Sequence, residues 1–279
     1  MQLATLQAEL DAGPVAHGWV ADQRWTLARV AALIFELFRV RYTPRGVSYL
    51  LPSDRLDAAG PGASGRRTGR GEDPPVAGGD LAGDKPTARD RGAWIVLADE
   101  SGQSLRPATA RTWSRRGHTP VVRVTGKGSG RVHLAGLIAL RPGMRARLIY
   151  RMLVHRGRKG EKKGYREKDL AALLDAAHQQ LRGPLVLVWD NATQHTDAAM
   201  RTLIAARCWL TVFRLPPYAP ELNPTEGVWS HLKRGLGNLA ACTTDQLATR
   251  VKTRLKQMQY RSGLLDGFIA ATGLTLQPQ

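Results

Sequence analysis

The sequence predicts an α/β fold: a mixed sheet with flanking helices, preceded by a small helical segment. Short continuous apolar runs such as WIVLAD and PLVLVWD have the length and composition of buried strands. Helical patterns separate the later runs, as is typical of connections between parallel strands. The first fifty residues show helical spacing. Together these observations predict a helical N-terminal unit and a larger α/β domain.

Residues 1–51 are predicted to form a helix-turn-helix-like unit. In RWTLARVAALIFELFRVRY, apolar residues recur every three or four positions. After a break at residues 39–42, Thr43 is a suitable N-cap, and Pro44 suits the first position of a second helix. Helix, tight turn and helix, with Arg41 and Arg45 nearby, favours DNA binding. A plain helical hairpin packed on the main domain is the alternative.

Residues 52–86 are crowded with Gly, Pro, Asp, Arg and Ala and contain almost no large apolar residues. Such a segment cannot bury a core, so we expect an irregular or disordered linker. A second hypothesis is a reading-frame error. Back-translated with permitted codons and shifted in frame, Leu56–Lys85 can become a charge-rich amphipathic helix. Two compensating frameshifts, near residues 52 and 86, would then explain the composition.

The third predicted domain spans residues 87–279 and begins with strands. The predicted strands lie in WIVLAD, SLRPATARTWSRRGHTPVV, VHLAGLIAL, RLIYRMLV, PLVLVWD and LTVFRLP. The predicted helices are REKDLAALLDAAHQQL, a segment around residues 196–206, and a segment from about Thr225. Three antiparallel strands followed by α/β alternation describe a mixed sheet of the ribonuclease H type.

Composition favours a polyanionic partner. Lys and Arg number 41 against 23 Asp and Glu, a net charge of +18, and the pI is near 10.8. A ribosomal or membrane-surface protein could share this balance. No apolar run reaches the roughly 20 residues of a membrane span, and the start lacks the pattern of a signal peptide. Cys208 and Cys242 form no C-x-x-C pair, so we expect a cytosolic protein without disulfides or zinc clusters.

Three acids stand at positions where they can converge. Asp99 and Asp190 follow apolar runs that predict strands, and Glu226 opens a helical pattern. Two carboxylates about 4 Å apart repel by about 4 kcal/mol at an effective dielectric of about 20, so a convergent trio needs cations. Sites built from oxygen ligands suit Mg²⁺ or Mn²⁺. The trio therefore predicts metal-dependent cleavage of phosphodiesters.

Two of the three acids, Asp99 and Glu226, have an alternative interpretation. Neighbours in a strand face opposite sides, so Glu100 could take the place of Asp99. Asn223 is a good N-cap, which puts Glu226 at the third helical position. A capping box would also place a glutamate there.

Polar neighbours of the acids are candidates for a supporting role. Asn191 could bind substrate or hold the Asp190 rotamer. His195 could act on a metal-bound water, or it could be an ordinary polar residue at a helix start. Lys233 and Arg234 would lie near a phosphate track.

Four segments together resemble the DDE transposases of bacterial insertion sequences, in the IS six-thirty branch of the mariner-like superfamily. These are ADESGQSLRP, TWSRRGHTPV, VWDNATQH and YAPELNPTEGVWSHLKR. The resemblance runs from about residue 91 to the end, and WTLARVAALI with YTPRGVSYLL resembles a helix-turn-helix of that family. Matched position by position, Asp99, Asp190 and Glu226 would be the catalytic and metal-binding acids, with Asn191, His195 and Asn223 supporting them.

The resemblance implies a bacterial, cytoplasmic, nucleoid-associated enzyme that acts on double-stranded DNA. Two Mg²⁺ or Mn²⁺ ions would support in-line attack on a phosphodiester, first by water and then by a 3′-hydroxyl. The DNA would be the terminal inverted repeats and the target, held by a homodimer in a synaptic complex. Candidate phosphate contacts lie in two basic loops, residues 126–131 and 156–163, and at the neighbouring pair Arg115 and Arg116. The loop residues are Lys127, Arg131, Arg156, Arg158, Lys159, Lys162 and Lys163. A solvated hairpin tip with no DNA contact would show the same charge.

The chain departs from the family in two places. Members usually carry another helix-turn-helix upstream, and this chain starts too late to hold it. Members also have an ordered helical connector where this chain has the low-complexity residues 52–86. Both departures concern DNA recognition rather than the acids, so a truncated or degraded element product that binds DNA without catalysis is one alternative. A ribonuclease H-type nuclease that does not transpose is another.

Overall fold

The computed structural model describes residues 2–53, 56–59, 92–106, 110–115, 130–216, 219–239 and 242–274. The chain forms two compact units. One contains Met1–Gly69, Leu105–Gly128 and Lys233–Thr243, and the other contains Arg70–Ser104, Ser129–Leu232 and Thr244–Gln279.

The N-terminal helices belong to the first unit. They are α1 (Gln2–Ala12), α2 (Leu27–Phe38) and α3 (Pro44–Ser53). The Thr26 side chain caps α2 by accepting from Arg29 N. Thr43 Oγ1 accepts from Gly46 N at 3.0 Å, so the predicted cap of α3 is confirmed.

The core of this unit is formed by apolar residues of all three helices and by Trp25, which precedes α2: Leu6, Leu10, Trp25, Val30, Leu33, Ile34, Val47 and Leu51. Three separate stretches of chain also meet at Asn238, which is buried and has a positive φ of 54°. Its side-chain amide donates to Ala110 O and accepts from Ala110 N, while its own carbonyl accepts from Gln23 N.

The expectation of an irregular segment at residues 52–86 is wrong at its start. Helix α3 continues to Ser53, and Leu56–Ala59 forms strand β1. This strand pairs antiparallel with β3, Thr112–Arg115, so its backbone groups find their partners far along the chain. The strand expected near residue 113 therefore exists, but it lies outside the main sheet. Residues 54–55 and 60–86 lie outside the described part of the chain, and so does all but the start of the segment to which the reading-frame hypothesis applies.

The second unit is built on a five-stranded sheet in the order β5-β4-β2-β6-β7. Its strands are β2 (Trp94–Ser104), β4 (Arg131–Leu140), β5 (Arg147–His155), β6 (Leu185–Trp189) and β7 (Leu210–Arg214). The first three strands are antiparallel, and β6 and β7 run parallel to β2. This is the predicted ribonuclease H-like arrangement, and the fold prediction is confirmed.

Helices flank this sheet. They are α4 (Glu167–Leu181), α5 (Thr193–Thr196), α6 (Ala198–Ala205), α7 (Pro224–Gly235), α8 (Thr244–Gln259) and α9 (Ser262–Ala271). The helix expected around residues 196–206 is split, because Asp197 ends α5 and caps α6 by accepting from Met200 N at 2.7 Å. At the open edge of the sheet, Gln259 donates to Leu148 O of β5 and so covers part of that edge. No described helix has the length and apolar character needed to cross a membrane.

Candidate active site

Asp99 and Asp190 lie side by side because of how β2 and β6 pair. The last parallel pair between these strands is Leu97 with Val188, and each acid lies two residues beyond it. The sequence suggested that Asp99 lies at the end of its strand, but in the structure it does not. Strand β2 continues because β4 pairs with it as far as Ser104. The edge at which the acids emerge is created by the end of β6, not of β2.

Glu226 reaches the same place because two buried side chains attach the start of α7 to β2. Asn223 donates to Ala98 O at 2.9 Å, and Thr225 Oγ1 donates to Leu97 O at 2.6 Å. Asn223 also caps the helix through Oδ1, which accepts from Thr225 N. Its backbone N–H donates to Pro220 O, which argues against the capping-box alternative for Glu226.

All three acids line one cavity of about 360 Å³. Its other lining residues are Asn191, Leu215, Pro216, Ala219, Pro220 and Asn223. Glu100 does not line it. The structure therefore brings together Asp99, Asp190 and Glu226, the three acids expected from the sequence, and places Asn191 and Asn223 beside them.

Asp99 is in an environment that disfavours its charge. Burial, followed by the charges of Glu226, Glu100 and Asp190, raises the pKa of Asp99 from 3.8 to about 7. Its Oδ2 is buried and has no hydrogen-bond partner among the residues that the structure describes. A buried carboxylate oxygen without a donor is costly unless a ligand or cation meets it.

Asp190 is ionised and engaged. Its Oδ1 accepts from His195 Nδ1 at 2.5 Å and from Ala192 N at 3.0 Å. The hydrogen bond from His195 is the largest cause that lowers the pKa of Asp190 below its ordinary value. Asn191 does not hold this carboxylate, because its amide donates to Leu215 O instead.

His195 is fully buried and stacks on Trp189, with ring centroids 3.6 Å apart. Its Nε2 lies 3.2 Å from Glu100 Oε2. Burial disfavours the charged ring, but hydrogen bonds to Asp190 and Glu100 outweigh it and raise the pKa of His195 to about 8. Both ring nitrogens face carboxylates, which only accept, so the ring is held as a cation.

Two further residues of the site were not expected from the sequence. Arg214 donates to the backbone carbonyls of Asp190 and His195, and so fixes the turn that carries both. Gly136, opposite Asp99 in β4, leaves room for Trp229 of α7, since an added Cβ would lie 2.9 Å from Trp229 Cη2. An arginine in the run LTVFRLP and a glycine within VHLAGLIAL were the available signals.

The donor type in the cavity suits a divalent cation, because carboxylate oxygens are the ligands that Mg²⁺ and Mn²⁺ take. Three carboxylates line the cavity, and within the described part of the chain one of them has an oxygen without a donor. In the described residues, no three His, Cys, Asp or Glu side chains are gathered around one point closely enough to hold an ion. Asp190 Oδ1 accepts a hydrogen bond from His195, whereas Asp99 Oδ2 accepts none from the described residues, so Asp99 Oδ2 is the first candidate ligand for a cation.

The predicted DNA contacts fall into three groups: residues that the structure does not fully describe, residues in ion pairs, and other exposed basic residues. Arg116 and Lys127 lie outside the described residues, and of Arg115 only the backbone is described. Two others are engaged: Arg156 forms an ion pair with Asp245 at 2.6 Å, and Lys162 forms one with Asp169 at 2.8 Å. The exposed basic residues among the candidates also include Arg41, Arg45, Arg131, Arg158, Lys159, Lys163, Lys233 and Arg234.

Two family models match the chain. The model described as DDE superfamily endonuclease matches residues 94–248, which is more than half of the chain. The model described as Winged helix-turn helix matches residues 21–56 and confirms the helix-turn-helix over the plain hairpin. Comparison with curated proteins gives no match.

Solved structures that match this chain include three of Mos1 transposase. One is a paired-end complex with left transposon end, at 14% identity and a TM-score of 0.45, covering 99% of this chain and 80% of that one. A pre-cleavage transpososome gives 15% and 0.45, with the same coverage. The catalytic domain with Raltegravir and Mn gives 14% and 0.40, covering 66% of this chain and 84% of that one.

Proposed function

Since this chain belongs to the DDE superfamily endonucleases, we propose that it is a transposase of the bacterial IS six-thirty branch. It cleaves DNA at the ends of its element and joins them to target DNA. One observation carries the proposal: Asp99, Asp190 and Glu226, from three separate elements, line one cavity. Of these, Asp99 has a buried oxygen that no described residue hydrogen-bonds.

In this mechanism Asp99, Asp190 and Glu226 would hold the metal ions in the cavity that they line. Two Mg²⁺ or Mn²⁺ ions, when bound, supply a more acidic attacking water or hydroxyl and stabilise the leaving oxygen. Asp99 must be deprotonated to bind a cation, and its pKa near 7 means that binding releases a proton at neutral pH. Asp190 needs no such step, because its hydrogen bonds already keep it ionised.

The helix-turn-helix is the proposed reader of the element ends. Arg41 and Arg45 are exposed around the start of α3, the second helix of the motif, which is the element that enters the major groove in such units. Arg45 Nε donates to Tyr49 Oη at 3.3 Å, one turn further on. Two ends must be held for transposition, so we propose that a homodimer forms the synaptic complex in the cytoplasm, at the nucleoid.

The test is cleavage of labelled DNA that carries the flanking element's own ends, with Mg²⁺ or Mn²⁺. We expect cutting at the ends that is lost in Asp190→Ala and retained in Asp266→Ala, a change at an exposed acid in α9. Cutting without joining of the 3′-hydroxyl to target DNA would favour a non-transposing nuclease. Binding without cutting under any metal condition would favour a degraded, inactive product.

A further inference from the structure

Glu100 is excluded from the cavity but is connected to it. It follows Asp99 in β2, and its carboxylate lies 3.2 Å from His195 Nε2 on the side of the ring that faces away from Asp190. The Gln194 amide donates to the same carboxylate at 3.4 Å. Two groups from the α5 turn therefore converge on a side chain of the central strand.

The ring between the two acids has little freedom. His195 is fully buried, lies against Trp189, and has a carboxylate at each nitrogen. A buried ring held at three sides cannot rotate without breaking a hydrogen bond. Its orientation therefore depends on the acceptor at Nε2, which is Glu100.

The orientation of His195 in turn decides how Asp190 is presented. His195 Nδ1 and the Ala192 N–H both donate hydrogen bonds to Oδ1 of Asp190. The other carboxylate oxygen, Asp190 Oδ2, is then left for a ligand in the cavity. The Asp190 side chain is 50% exposed, so without these bonds the carboxylate could turn in solvent. The order of contacts runs from β2 through Glu100 and His195 to Asp190.

We infer that Glu100 is a positioning residue of the cation site: acting through His195, it holds Asp190 with one oxygen directed into the cavity. Neighbouring residues of one strand thus have separate tasks, because Asp99 lines the cavity itself and Glu100 orients the acid contributed by β6. The inference rests on the proposed function only in taking this cavity to bind a divalent cation.

The test is Mn²⁺ binding to the full chain without DNA, measured from the electron paramagnetic resonance signal of free Mn²⁺. Partners that orient a metal ligand typically change metal affinity by about 10- to 100-fold. We expect about tenfold weaker binding in Glu100→Ala and a smaller loss in Glu100→Gln, which keeps an acceptor for Nε2. The control is Asp175→Asn, which breaks an ion pair with Arg207 in the same unit, outside the cavity lining.

A double-mutant cycle separates positioning from simple charge. Glu100 also contributes to the negative field at Asp99, so its removal could weaken cation binding directly. If it acts through His195, Glu100→Ala should change Mn²⁺ affinity less than twofold in a His195→Ala background. A tenfold effect that persists there would overturn the inference.

Other outcomes are equally distinct. If Glu100→Ala lowers stability to urea but binds Mn²⁺ as the unaltered chain does, Glu100 is merely structural and the inference fails. If Glu100→Ala does not fold, the ranking of Glu100→Gln against the control decides instead, and equal affinity overturns the inference. If the unaltered chain binds no Mn²⁺, the proposed function fails first, whatever Glu100 does.

Discussion

The burial of Asp99 among other acids should destabilise the metal-free protein as the pH rises. The folded protein holds a proton on Asp99 up to about pH 7, whereas the unfolded chain releases it near 3.8. A group whose pKa is raised on folding binds more protons in the folded state across this window, so stability falls with pH there. The penalty is absent below about pH 4 and complete above about pH 7.

Asp99→Asn removes this titration, and its magnitude follows from the pKa. Each pH unit in the window is worth about 1.36 kcal/mol, so the ceiling is about 4 kcal/mol in total and about 3 kcal/mol between pH 5 and pH 8. Solvent and salt screen part of the interaction, so we expect roughly half of that ceiling. In EDTA, Asp99→Asn should therefore gain about 1.5 kcal/mol over the unaltered chain between pH 5 and pH 8.

The assay is urea unfolding followed by tryptophan fluorescence at both pH values. Any cost of the amide itself is the same at the two pH values and cancels in the comparison. Asp266→Asn, at an exposed position of α9, is the control and should show no gain. Mg²⁺ should restore stability at pH 8 to the unaltered chain and not to Asp99→Asn. An unchanged difference between pH 5 and pH 8 would refute the reasoning.

Three further results are expected. Gly136→Ala should lower the free energy of unfolding by about 1–3 kcal/mol, because the new Cβ would meet the buried Trp229. Gly267→Ala, where the new Cβ has open space, should not destabilise the protein. Urea unfolding of both variants checks this. Asn223→Ala should lower the free energy of unfolding by about 1–2 kcal/mol in the same assay and reduce DNA cleavage strongly. The reason is that the side chain that caps α7 is also the one that hydrogen-bonds β2, so both contacts are lost together. Full cleavage would contradict this account of the site. Binding to DNA should weaken steeply as the salt concentration rises. Lys159→Ala should reduce the magnitude of the slope of log affinity against log salt concentration by about 1 if Lys159 contacts a phosphate. An unchanged slope would show that Lys159 does not contact a phosphate.

Some of the site could be predicted because its signals are local. A run such as PLVLVWD indicates a buried strand with an acid at its end, and Asn223 with Pro224 marks a helix start just before Glu226. The helical repeat and the cap at Thr43 likewise predicted α2 and α3. These features depend on neighbours within one element, and the sequence displays them directly.

Local patterns in the sequence therefore predict the inventory: the strands of a mixed sheet, two helices suited to a helix-turn-helix, and the three acids. The pairings became visible only in the folded chain. Strand β1 finds β3 across the chain, and β2 passes beyond Asp99 because β4 accompanies it. The folded chain also shows that Glu100 faces His195 rather than the cavity, and that Arg214 secures the turn. Such contacts join residues distant in sequence, and no local pattern specifies which distant backbone or side chain will satisfy a given polar group.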